Sequence, residues 1–217
     1  MKYTTVIFDM DGTLLDTLDD LADAVSFTMD KFQMPQHSRE DIREFVASGV
    51  YRLIEYAVPD GRTNPCFAEA SETFEAYYTR HGQERTKPFP GIMNLLSSLK
   101  KQGYKLAVVS NKYDSAVKLL AASYFPAVFD IMVGEHEGVR RKPAPDSVIE
   151  VMRELNVSTN ETIYIGDSDV DIKTAENAGI DCISVSWGFR GKAFLREHGA
   201  KIIVDTPEEI SAVIHKM

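Results

Sequence analysis

The stretch Val6-Ile7-Phe8-Asp9-Met10-Asp11-Gly12-Thr13-Leu14-Leu15-Asp16 decides how this chain folds. Its apolar opening reads as a buried strand. That run stops at two carboxylates one residue apart, followed at once by a glycine. Asp9 and Asp11 therefore stand at the carboxyl edge of a sheet, where open parallel sheets bind ligands. Side chains at i and i+2 of a strand point the same way, although a turn at Gly12 can redirect the second. Like charges this close raise each other's pKa unless screened, so the pair invites a cation.

Downstream of Asp16 the texture changes. From Thr17 to about Arg85 apolar residues recur at three- and four-residue spacing, as in Leu18, Leu21, Ala22 and Val25, and no strand is evident. Pro35 ends the first helix, Ser38 caps a second, Ser48-Gly49 breaks it, Tyr51-Arg52-Leu53-Ile54 resumes, and Phe67 to Tyr78 forms another. This block reads as a small helical domain, residues 16–85, inserted after the first strand. The return crossing Lys87-Pro88-Phe89-Pro90-Gly91 is stiff and extended.

From Ile92 strands and helices alternate. Strands are expected at Lys105–Val109, Phe129–Val133, Thr162–Ile165, Cys182–Ser186 and Lys201–Val204, with helices at Ser115–Tyr124, Asp146–Leu155 and Asp169–Ala178. Thr206-Pro207-Glu208-Glu209 opens the last helix, with Thr206 as cap and a capping-box Glu. Repeated strand–helix units imply a parallel sheet with helices on both faces.

Composition narrows the function. The 217 residues carry a formal net charge of -9, which argues against nucleic acid as a partner. Hydrophobic residues make up 44%, the share of a packed globular protein. No apolar run is long enough to span a bilayer, and no leader precedes the first strand, so a soluble cytoplasmic protein is expected. The cysteines Cys66 and Cys182 show neither disulfide nor metal spacing and are expected to be two buried thiols.

Four polar clusters each follow an expected strand. They are Asp9-Met10-Asp11, Ser110-Asn111-Lys112, Arg140-Arg141-Lys142-Pro143 and Gly166-Asp167-Ser168-Asp169-Val170-Asp171. Each alone is ordinary, since a hydroxyl and amide after a strand usually cap a helix and a basic run is usually solvated surface. Parallel strands share one carboxyl edge, so the four should converge. Carboxylates gathered at one point need a hard divalent cation, and Mg2+ takes carboxylate oxygens, water and substrate phosphate. Lys142 supplies positive charge, and Ser110 and Asn111 supply polar groups to a phosphoryl oxygen. One carboxylate can act as nucleophile and the other as acid and base.

Asp9-Met10-Asp11-Gly12-Thr13 resembles the DxDGT signature of the haloacid dehalogenase superfamily, and Phe8 to Thr17 resembles its phosphatase branch. Ser110, Lys142 and Gly166 to Asp171 stand where its second, third and fourth motifs would fall. The resemblance implies an α/β fold, with a Rossmann-like parallel sheet core flanked by helices (residues 1–15 and 86–217) and an inserted helical cap domain (16–85). It implies Asp9 as nucleophile and Asp11 as general acid/base. It also implies Mg2+ held by Asp9, Asp167 and the main-chain carbonyl of Asp11, with Asp171 in support and Asp169 in the same loop. The dehalogenases proper lack the second acid, so Asp11 favours phosphate esters over carbon–halogen bonds.

The Ser186-Trp187-Gly188-Phe189-Arg190 turn and the Val204-to-Glu209 close resemble phosphoglycolate phosphatases and their near relatives. Trp187 reads as a packed turn residue rather than a substrate contact. In the cap, Arg52 or Tyr51 is the candidate contact to the leaving group. The expected partner is a small phosphorylated metabolite, with 2-phosphoglycolate, pyrophosphate, a sugar phosphate or a nucleotide all open. The chain is expected to be a monomer or homodimer. A phosphosugar mutase is the leading alternative, but its cap His-Lys pair has no counterpart beside His37 or His81. A phospho-accepting receiver domain would lack both the insert and the second acid.

Overall fold

A computed structural model of the chain describes residues 2–46 and 50–217, leaving aside the side chains of Val50 and Tyr51. The expected break at Ser48-Gly49 lies outside the described residues. In chain order the elements are β1 (Thr5–Phe8), β2 (Leu15–Asp16), α1 (Leu18–Lys31), α2 (Arg39–Val46), α3 (Val50–Ala57), α4 (Phe67–His81) and β3 (Lys87–Pro88). Then follow α5 (Ile92–Lys101), β4 (Lys105–Tyr113), α6 (Asp114–Tyr124), β5 (Ile131–Glu135), α7 (Asp146–Leu155), β6 (Thr162–Gly166) and α8 (Asp169–Ala178). The chain ends with β7 (Asp181–Val185), α9 (Gly191–Glu197), β8 (Ile203–Val204) and α10 (Pro207–Lys216).

The chain divides into two compact units, Met1–Leu15 with Pro88–Met217, and Asp16–Lys87. The first is built on a six-stranded sheet in the order β5-β4-β1-β6-β7-β8. Its described pairings are parallel. The chain runs outward from β1 to β4 and β5, then returns to the other side of β1 for β6, β7 and β8. The order therefore reverses between β1 and β6, the place where such sheets open a crevice at their carboxyl ends.

Side-chain alternation sorts the strands onto two faces. Val6, Phe8, Leu106, Val108, Ile163 and Ile165 join Leu95, Leu96, Leu99, Ile210 and Ile214 of α5 and α10 in one cluster. Ile7, Ala107, Val109 and Tyr164 join Val148, Val151 and Ala175 of α7 and α8 in the other. Both faces of the central strands are buried, which is why they read as continuous apolar runs instead of alternating ones.

The second unit is helical. Ser38 caps α2 reciprocally with Asp41: the Asp41 N–H donates to Ser38 Oγ at 3.1 Å, and the Ser38 N–H donates to Asp41 Oδ2 at 2.8 Å. Asp20, buried in α1, accepts from the Arg85 and Thr86 N–H groups at 2.9 and 2.7 Å and ties down the returning segment.

Four expectations need correction. Cys66 is exposed and Cys182 half-buried, because Cys66 sits in the turn before α4 instead of on its apolar side. Thr206 makes no side-chain cap bond, since Glu209 reaches past it to the Asp205 N–H at 2.9 Å. β5 starts two residues later than expected, because Asp130 binds the Leu106 N–H through its carboxylate at 2.8 Å and Phe129 packs into the core. Helix α9 was not expected, and its sparse apolar pattern explains why.

Candidate active site

The turn after β1 is wound tightly on itself. The N–H groups of Leu14 and Leu15 donate to the Met10 carbonyl at 2.9 and 3.0 Å, and the Gly12 N–H donates to the Leu15 carbonyl at 2.9 Å. Gly12 has φ +86, a left-handed conformation that favours glycine. A Cβ there would lie 2.4 Å from Asp167 Oδ2, so the position also needs glycine for close approach. The first motif is thus folded directly against the fourth.

The acids of the first and fourth clusters do meet. Oxygens of Asp9, Asp167 and Asp171, all buried, lie within 4.8 Å of one another, the one such group among the described residues. Asp167 is held from three sides. The Phe189 N–H donates to its Oδ2 at 2.7 Å, the Thr13 hydroxyl lies 3.4 Å from its Oδ1, and a Cβ on Gly188 would sit 2.3 Å from it. Trp187 Nε1 donates to the Thr13 carbonyl at 3.1 Å, so the loop after β7 braces the first motif as well.

Asp171 occupies the third position of α8, where it forms a capping box with Ser168. Its Oδ2 accepts from the Ser168 hydroxyl at 2.6 Å and N–H at 3.1 Å. Its Oδ1 accepts from Lys142 Nζ at 2.7 Å. Lys142 also donates to Asp9 Oδ1 at 2.8 Å and to the Tyr164 hydroxyl at 3.1 Å, which in turn donates to the Val109 carbonyl at 3.0 Å. Asp169 stands outside the group, paired with Arg190 at 3.3 Å.

The electrostatics follow from burial. Among the described residues of the first unit, four carboxyl groups (Asp9, Asp11, Asp167, Asp171) and two ammonium groups (Lys112, Lys142) are buried, an excess of two carboxyl groups. Burial, helped by the charges of Asp171 and Asp11, pushes the Asp9 carboxyl up to about 7 despite its Lys142 partner. Burial and the charges of Asp171 and Asp9 likewise hold Asp167 well above the usual carboxylate range. For Lys142 burial disfavours the charge, but Asp171 and Asp9 outweigh it and raise its pKa well above the ordinary value. An all-oxygen donor set with surplus negative charge fits a hard divalent cation such as Mg2+.

The remaining expected site residues have partners of their own. Ser110 is buried within β4, where its Oγ accepts the Lys112 N–H at 3.3 Å. Asn111 spends both polar atoms on the Lys142 main chain: Nδ2 donates to the carbonyl at 3.0 Å and Oδ1 accepts the N–H at 2.8 Å. That geometry suits orienting Lys142 better than touching substrate. Arg52 is exposed on α3 in the helical unit and donates to the Tyr56 hydroxyl at 3.3 Å. The Tyr51 side chain is not among the described ones.

Sequence reasoning missed three participants. Lys112 is buried and donates to both oxygens of Asp11, at 3.0 and 3.2 Å. Tyr164 passed for a strand residue, and Gly188 for a turn glycine. The Lys112 signal was its place two residues beyond Ser110, on the same side of an extended strand.

The sequence model of the family described as haloacid dehalogenase-like hydrolase matches residues 6–185. A protein named phosphoglycolate phosphatase from Aquifex aeolicus (strain VF5) is 31% identical over 185 residues, 85% of each chain. One named pyrophosphatase PpaX from Bacillus mycoides (strain KBAB4) is 25% identical over 218 residues, 100% of this chain and 99% of the other. Among solved structures, one from Lactobacillus delbrueckii subsp. bulgaricus, provisionally named a phosphoglycolate phosphatase, superposes with a TM-score of 0.91 at 41% identity, covering 99% of each chain.

Proposed function

The chain belongs to the haloacid dehalogenase-like hydrolase family and is a phosphatase, and from that membership we propose that it hydrolyses a small phosphomonoester through an aspartyl-phosphate on Asp9. The observation that carries this reading is the Asp9 carboxylate itself. It is buried at the carboxyl end of β1, paired with Lys142 at 2.8 Å, and grouped with Asp167 and Asp171.

Asp9, Asp167 and Asp171, with the main-chain carbonyl of Asp11, are the residues that would hold Mg2+, which when bound neutralises phosphoryl charge. Asp9 attacks phosphorus while Lys142 and the Ser110 hydroxyl steady the phosphoryl oxygens. Asp11 gives a proton to the leaving oxygen, then takes one from the water that cleaves the acyl-phosphate. Asn111 fixes the Lys142 main chain. Residues 1–15 with 86–217 act as the catalytic core, and 16–85 act as a cap that selects the leaving group, with Arg52 as its candidate contact.

The substrate favoured is 2-phosphoglycolate, on the strength of the relative that shares 31% identity. Inorganic pyrophosphate is the second reading, because the relatives named for it align over the full chain. A phosphate-release screen with Mg2+ over 2-phosphoglycolate, pyrophosphate, sugar phosphates and nucleotides tests both. Asp9→Asn should abolish release on every substrate the wild type accepts. A wild-type rate matched by Asp9→Asn would overturn the mechanism.

A further inference from the structure

Among the described residues, Lys112 is the one buried ammonium that the mechanism above leaves unused. It stands at the end of β4, where the pairing with β5 shifts register between Val109 and Tyr113. Such an irregularity re-aims side chains at the rim of a sheet. Its side chain is 1% exposed and that of Asp11 8%. Its Nζ spans both carboxylate oxygens of Asp11, at 3.0 and 3.2 Å. Lysine is rarely buried without a purpose for its charge. Here one partner is the group assigned to move protons, which stands in the turn after β1, 101 residues away.

We propose that Lys112 is a positioning residue for the phosphatase reaction, holding the Asp11 carboxyl in the one orientation from which it meets the leaving oxygen. The inference rests on Asp11 being the general acid and base. As the Asp9–phosphorus bond forms and the phosphorus–leaving-oxygen bond breaks, the Asp11 proton passes to the leaving oxygen from one carboxyl oxygen. That oxygen, when protonated, gives up its contact with the Lys112 ammonium, which stays on the other. The resulting carboxylate, still held, then takes a proton from water as that water's oxygen bonds phosphorus and the Asp9–phosphorus bond breaks. An acid free to rotate would lose the alignment that makes proton transfer effective.

A leaving-group comparison tests this. kcat/KM reports steps up to phosphoenzyme formation, where an aryl leaving group such as p-nitrophenolate needs little protonation and an alkoxide needs much. Both esters are assayed with Mg2+ on wild type, Lys112→Met, Lys112→Arg and Asp11→Asn. We expect Lys112→Met to lower the alkyl-to-aryl ratio of kcat/KM by about 10- to 100-fold, Asp11→Asn to lower it at least as far, and Lys112→Arg to restore part of it. If Asp11→Asn lowers the ratio and Lys112→Met loses both esters in equal proportion, Lys112 is structural and the inference falls alone. If Asp11→Asn leaves the ratio unchanged, the acid assignment falls and takes the inference with it. Should Lys112→Met not fold, the double variant with Asp11→Asn removes both charges. Its ratio should match that of Asp11→Asn within about twofold, and a further tenfold drop would overturn the inference.

Discussion

Lys142 Nζ lies 2.8 Å from Asp9 Oδ1 although 133 residues separate the two in sequence. The same ammonium is 2.7 Å from Asp171. One buried cation thus joins the first and fourth motifs. Replacing it by Met leaves two buried carboxylates without their partner. Breaking a buried pair from one side costs about 3–5 kcal/mol. Lys142→Met should therefore lower the melting temperature as well as cut kcat by about 10²-fold or more. An unchanged melting temperature would mean that water or rearrangement compensates the carboxylates.

Gly188→Ala probes the Asp167 brace without replacing a charged group. The added Cβ would lie 2.3 Å from the Asp167 carboxyl, so that side chain must move and the Phe189 N–H bond with it. Displacing the groups that orient a ligand typically costs about 10–100-fold in metal affinity. Titration calorimetry with Mg2+ should show a loss of that size, and the concentration of Mg2+ giving half-maximal activity should rise in step. Wild-type affinity in a folded Gly188→Ala protein would mean Asp167 is not a metal ligand.

Much of this was legible beforehand because burial on both faces writes strands as plain apolar runs. Thr162–Gly166 and the helices Asp146–Leu155 and Asp169–Ala178 follow the expected bounds closely. The convergence of Asp9, Lys142 and Asp167 followed from strand ends sharing one edge. What escaped has a common cause. The β4 strand continues to Tyr113 through polar residues, so reading it to stop with its apolar run at Val109 hid the direction of Lys112. The bonds of Asn111 to the Lys142 main chain escaped as well, because that partner lies 31 residues away, which no local pattern reports. Helix α9 carries Phe194 and Leu195 as its only large apolar residues, too few to show a period.

Asp20→Ala tests a structural carboxylate in the helical unit. Asp20 is 3% exposed and accepts the Arg85 and Thr86 N–H groups. Removing it leaves both donors without that acceptor, at a cost of about 1–3 kcal/mol. For a chain of this size that corresponds to a fall in melting temperature of roughly 2–12 °C. A calorimetric melt with no shift would mean the returning segment finds other acceptors.

The raised pKa of Asp9 makes the benefit of Mg2+ depend on pH in a calculable direction. An unfolded Asp titrates near about 3.9, while the folded group is pushed up to about 7 by burial and its acidic neighbours. Between those values the folded state holds a proton on Asp9 that the unfolded state has released, so the Asp9 contribution to stability without a divalent cation falls as pH rises from about 4 through 7, and the raised Asp167 acts in the same direction. A cation on Asp9 displaces that proton and competes with it below pH 7. Mg2+ should therefore raise the melting temperature little at pH 5 and substantially at pH 8. At a hundredfold excess over its Kd, Mg2+ adds about 2.7 kcal/mol, roughly 5–10 °C for a chain of this size. Melts with and without Mg2+ across pH 5 to 8 read this directly. An equal Mg2+ shift at both ends would mean that Asp9 is already ionised in the metal-free protein, and that Lys142, not burial, governs its charge.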